Sequence, residues 1–154
     1  MIREYKLYHG AVLADLVAMH GGPVTIRPQE EGGRLLNYVI NDQIGLQVKY
    51  ATQRLRPWPF TFSSSHIASL TTLASICKAS FVVLVCHTDG MAAVDATDVL
   101  ASLEHGSEQG WLRVERKKHE MYRVHGPGGE FPGKFKTTVE PVVEALWRME
   151  RKRR

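Results

Sequence analysis

Residues 35–62 read LLNYVINDQIGLQVKYATQRLRPWPFTF. Two apolar runs, 35–40 and 44–51, flank the polar pair Asn41-Asp42. Both of these residues tolerate positive φ, so the stretch predicts a β-hairpin. Along the second run, the two-residue period of a strand sends Leu46, Val48 and Tyr50 to one face and Gln47 and Lys49 to the other. A turn centred on Asp42 sets Asn37 opposite Gln47 on that polar face. A loop one residue different would set Tyr38 or Leu36 there instead. A cationic, aromatic segment follows at once, carrying Arg54, Arg56, Trp58 and Phe60.

Helical periodicity precedes the hairpin. Residues 8–19 place Val12, Leu13, Leu16 and Val17 on one stripe, and His20-Gly21-Gly22-Pro23 ends the helix. A short strand is expected at 24–27 and a loop at 28–33. After the hairpin, Pro57 and Pro59 forbid a central strand around Trp58 and leave room for an edge strand at 60–62. Ser63-Ser64-Ser65 offers caps for a helix over 66–77. The continuous run FVVLVC, 81–86, predicts a strand covered on both faces. A turn at Asp89-Gly90, a short strand at 91–94 and a capped helix at 95–103 follow. A second hairpin pairs 111–116 with 121–125, and a closing helix spans 141–149 with Pro141 in its first turn. The expected fold is α+β: a mixed sheet of αβββαβ order flanked by helices, with an added C-terminal hairpin and helix.

The 154 residues suit one domain, expected at 1–147, with a basic tail at 148–154. Composition is that of an ordinary globular chain, 44% hydrophobic and 23% charged. The net charge of +4 comes largely from Arg148, Arg151, Lys152, Arg153 and Arg154, so the body is close to neutral. Cys77 and Cys86 fall in a predicted helix and strand, without zinc-ligand spacing. Free thiols and a polar start, MIREYKLYHG, fit a cytoplasmic protein, and no apolar run is long enough to span a bilayer.

The element order together with Gln47-Val48-Lys49 on the strand after a hairpin resembles the PD-(D/E)XK nuclease fold. The resemblance covers about residues 8–86. In that superfamily the second strand supplies an aspartate, and the third supplies Glu or Gln, one spacer and Lys. It implies a catalytic set of Asn37, Gln47 and Lys49 and a Mg²⁺ ion, with Asp42 as the available carboxylate. The metal would activate water, and the lysine would stabilise developing charge. Asn37 stands where an aspartate is expected and Gln47 where glutamate is usual, which implies a scaffold with weakened or lost catalysis. The wider run GLQVKYATQRLRPWPFTF is also similar to small bacterial proteins of uncharacterised function. Lys49, Arg54 and Arg56 would contact phosphates, and an exposed Trp58 would stack on an unpaired base.

Plainer accounts exist for each residue. Lys49 and Gln47 fit solvated strand positions, Asp42 fits a turn former, and Trp58 with Phe60 fits a core. An alternative function is a protein-interaction module or homodimer, its interface on Val142, Val143, Leu146 and Trp147. An enzyme of another class would centre on His87, Asp89 or His66. Of these, His66 behind three serines reads first as part of a helix cap. The loop GPGGEFPG at 126–133 lacks the Gly-Lys-Ser/Thr ending of a P-loop.

Overall fold

The computed structural model describes residues 1–31, 33–106 and 109–153. The chain is α+β, with a five-stranded mixed sheet, a four-stranded second sheet and four helices. The elements run α1 (Glu4–His20), β1 (Ile26–Glu31), β2 (Arg34–Ile40), β3 (Ile44–Ala51), β4 (Trp58–Phe62), α2 (Ser64–Ile76), β5 (Ala79–Cys86), β6 (Gly90–Asp95), α3 (Ala96–Leu103), β7 (Gly110–Glu115), β8 (Arg123–Gly126), β9 (Gly129–Glu130) and α4 (Glu140–Lys152). Among the described residues, no helix is long and apolar enough to cross a membrane.

The first sheet has the order β1-β2-β3-β5-β6. The hairpin forms as expected, with Tyr38 paired to Leu46 and Asn41 and Asp42 at φ 52° and 55°. β3 and β5 are parallel, which demands the crossover that α2 supplies. Strand β5 is buried on both faces. Val83 and Val85 join Ile44, Leu46 and Val48 beneath α1 and α4, while Val82 and Leu84 face the other core with Leu70, Leu73 and Val99. The continuous apolar run of β5 is this two-sided burial written in sequence.

The second hairpin, β7 with β8, does not extend the first sheet. It pairs with β4, so the sheet order is β4-β7-β8-β9. Strand β4 therefore interrupts the αβββαβ order between β3 and α2. It starts at Trp58, earlier than expected, because Pro59 sits on an edge strand where a missing N–H breaks no ladder. The same reason extends β1 through Pro28 to Glu31, into the expected loop.

Two further expectations are corrected. Helix α4 continues to Lys152, so Arg148, Arg151 and Lys152 belong to it rather than to a separate tail. Basic side chains in a last turn oppose the negative end of the helix dipole. Val142, Val143 and Leu146, the proposed dimer face, are already buried against α1 and the sheet. Trp147 remains part-exposed, and its Nε1 donates to the His20 carbonyl at 3.4 Å.

Gly45 shows how closely α2 lies on β3. A Cβ there would sit 2.4 Å from Leu73 Cγ, inside the van der Waals limit. Gly45→Ala is expected to cost about 1–3 kcal/mol through overpacking. A urea unfolding midpoint unchanged from wild type would refute that close approach.

Candidate functional site

The hairpin splits. β2 and β3 are paired at Tyr38–Leu46, Val39–Gly45 and Ile40–Ile44, and the pairing stops there. Beyond Leu46 the β2-facing edge of β3 opens into a cleft of about 630 Å³. The N-cap and N-terminal half of α1 bring Arg3, Tyr5 and His9 to it, the start of β2 brings Arg34, and the first turns of α2 bring Ser65, His66 and Ser69. Gln47, Val48, Lys49 and Tyr50 line it from β3. Among the described lining residues, three carry permanent cations or an ammonium and none carries a carboxylate.

Lys49 Nζ lies 3.1 Å from His66 Nδ1 and 5.0 Å from the centroid of the Phe62 ring. The His66 tautomer follows from its second contact. The Ser63 backbone N–H can only donate, and it points at Nδ1 at 3.2 Å. Nδ1 is therefore the acceptor, Lys49 donates to it as well, and the ring proton sits on Nε2. Ser63 Oγ accepts from the His66 N–H in return, which completes a capping box. Burial pushes the Lys49 ammonium down to about 8. Burial, then the charges of Lys49 and Arg34, hold His66 below the usual imidazole range, so it is neutral. The α2 N-terminus adds its own partial positive charge to the same cleft.

Asn37 and Gln47 do share the α2-side face, as the register requires. Gln47 is 3% exposed; its Nε2 donates to the His66 carbonyl at 3.1 Å and to Ser69 Oγ at 3.0 Å. Asn37 is fully buried and donates from Nδ2 to Gln29 Oε1 at 2.7 Å. Their carbonyl oxygens, Asn37 Oδ1 and Gln47 Oε1, accept no hydrogen bond from the described residues. Gln47 and Lys49 line the cleft and Asn37 does not, so the three expected groups do not all meet there; neutral amide oxygens are in any case a poor donor set for Mg²⁺, a hard cation that is held through carboxylates and phosphate oxygens. Asp42 does not repair the deficit. It sits in the exposed β2–β3 turn, 3.3 Å from Arg27 Nη2, and does not line the cleft. The residues present thus do not fit the ion that the nuclease resemblance implies. Among the described residues, no three His, Cys, Asp or Glu side chains come together as metal ligands.

The cationic arm is corrected in part. Arg54 and Arg56 are exposed in the β3–β4 connection, away from the cleft, and Arg56 Nη1 donates to the Arg116 carbonyl at 2.9 Å. Trp58 is 3% exposed and packs edge-on against Tyr122, so its ring offers no face to a base. The strand alternation that turns Pro59 and Thr61 outward turns Trp58, Phe60 and Phe62 inward. Asp89 is likewise engaged: Arg116 donates to both its oxygens at 3.0 Å and Tyr122 Oη at 2.6 Å.

His66 does form the cap its serines announce, yet the cap also carries it into the cleft. Sequence alone ranks it as a cap because that role is local. The contact with Lys49 spans 17 positions and depends on how α2 crosses β3. Arg3, Arg34 and Ser69 carry no local signal at all; topology gathers them.

Fold and site together define an α+β protein with a cleft beside a split hairpin, lined among the described residues by three cationic side chains and no carboxylate. No family model, curated protein or solved structure matches the chain.

Proposed function

We propose that this chain is a nucleic-acid-binding domain of nuclease-like architecture, whose cleft grips a backbone phosphate without hydrolysing it. The observation that carries the reading is the cleft's charge: Arg3, Arg34 and Lys49 face one cavity with the α2 N-terminus, and no described lining residue is acidic. Phosphodiester hydrolysis of the nuclease kind needs carboxylates to hold the metal, and amides stand at both positions. What remains of such a site is its affinity for the phosphate. The split β3 edge and the aromatic ring of Tyr5 add surfaces on which an unpaired nucleotide could rest.

Binding to a single strand is expected to weaken linearly in log–log form as salt rises, by about 0.7 in slope for each phosphate contact. The double variant Lys49→Ala/Arg34→Ala should lower that slope by about 1.4 and weaken binding at least tenfold at low salt. Fluorescence anisotropy with a labelled oligonucleotide measures both. A flat salt response, or a double variant that binds as wild type does, defeats the reading.

A further inference from the structure

We propose that Lys49 is the amine of an imine-forming site, and that the cleft captures a phosphate-bearing aldehyde by reversible covalent attachment to Nζ. The inference rests on the phosphate reading above and adds a covalent step to it.

The geometry of the amine carries the idea. Lys49 Nζ lines a cavity of about 630 Å³, within the size range of small-ligand pockets, large enough for one sugar phosphate and far too small for a duplex. Its polar partner is the acceptor nitrogen of a neutral imidazole, and the Phe62 ring lies beneath it. No described carboxylate pairs with it within ion-pair distance. A surface lysine holds its proton far above neutral pH and is a poor nucleophile. A desolvated one gives its proton up more readily, which is how amines are activated for attack on carbonyls. Arg34 and Arg3 supply cations at the same cavity for the phosphate.

The step balances without an oxidant or a metal. The ammonium gives one proton to solvent. The free amine, held by His66 Nδ1, adds its nitrogen lone pair to the aldehyde carbon, and the carbonyl oxygen becomes a hydroxyl. Loss of that hydroxyl with the remaining amine hydrogen as water leaves a carbon–nitrogen double bond, and neither partner changes oxidation state. Two sources offer such an aldehyde: an abasic deoxyribose within a strand, and a free phosphorylated aldehyde.

Borohydride trapping tests this. The intact protein is treated with sodium cyanoborohydride and one of three probes: a single-stranded oligonucleotide with one abasic site, pyridoxal 5′-phosphate, or pyridoxal lacking the phosphate. Peptide mass mapping then locates the reduced adduct. The expected result is an adduct on Lys49 forming at least tenfold faster than on any other lysine, and faster with a phosphate than without. A preference for the abasic strand identifies the polymer source, and a preference for pyridoxal 5′-phosphate identifies the small-molecule source; both support the site. Adducts spread evenly over the lysines, or a Lys49 adduct that forms equally well with pyridoxal, overturn it. In Lys49→Arg the adduct at this position should be lost, because a guanidinium does not form the imine. If wild-type protein binds the strand and leaves Lys49 unlabelled, the imine fails and the phosphate reading survives.

Discussion

Replacing Lys49 with Met will make the protein more stable at pH 7 and remove most of its affinity for a polyanionic strand. The two effects share one cause. Burial lowers the Lys49 ammonium from 10.5 to about 8, so below pH 8 the folded chain carries a charge that its surroundings disfavour. Taken at face value that shift corresponds to a burden of about 3 kcal/mol. Solvent at the cleft mouth reduces the recoverable part to about 1–2 kcal/mol. Methionine keeps the apolar stem over Phe62, and His66 Nδ1 keeps its bond from the Ser63 N–H. Binding should nonetheless fall roughly 10- to 100-fold, the worth of a charge-assisted contact of about 1.5–3 kcal/mol. A residue that costs stability and supports binding is placed for function. If urea titration shows Lys49→Met to be less stable than wild type at pH 7, Lys49 is a structural lysine.

The sign of the pH dependence follows from the same shift. Between about 8 and 10.5 the unfolded chain holds the Lys49 proton and the folded chain has released it, so wild-type stability rises with pH across that window relative to Lys49→Met. Strand affinity moves the opposite way. It falls as pH rises above about 8, where the free protein loses the ammonium that meets the phosphate. His66 from α2, Arg34 from β2, and Arg3 and His9 from α1 also face this cleft. His66 and His9 are both held below the usual imidazole range, and the arginines stay charged, so none of these loses charge near pH 8. Lys49→Arg should therefore bind with little change between pH 7 and pH 9.5.

The hairpin was legible because three local signals agreed: period-two alternation, Asn41-Asp42 at the turn, and two apolar runs flanking it. The Asn37–Gln47–Lys49 face followed from that register by counting. What counting could not supply was depth. A polar residue on a strand reads as solvated until the topology lays α2 over the same face, which buries Asn37 and Gln47 and leaves Lys49 at the cleft wall. The error at Trp58 has the opposite origin. Arg54, Arg56 and two prolines make its neighbourhood look like an exposed arm, and nothing local announces that β7 waits more than fifty residues downstream to pair with it. The side of a strand that meets a core is fixed by its partners, and here the partner is remote.

Trp58→Ala should destabilise the fold by about 3–5 kcal/mol, the range for truncating a buried aromatic. The ring is 3% exposed, lies 5.9 Å from the Tyr122 ring at 81°, and shares its core with Phe60, Phe62, Leu112 and Val114. Its loss would leave a cavity between the second sheet and the first, because backbone pairing from Trp58 to Phe62 against β7 prevents collapse. Trp58→Phe should cost much less, about 1 kcal/mol. It removes a buried Nε1–H that has no acceptor among the described residues, which offsets part of the lost volume. Strand affinity, measured where each variant is folded, should stay within twofold of wild type for both, since the indole does not line the cleft. A base-stacking tryptophan would give the reverse pattern: a stable Trp58→Ala with binding weakened by about 1–3 kcal/mol. Urea unfolding and anisotropy on the same two variants therefore decide whether this tryptophan holds the two sheets together or reads a nucleotide.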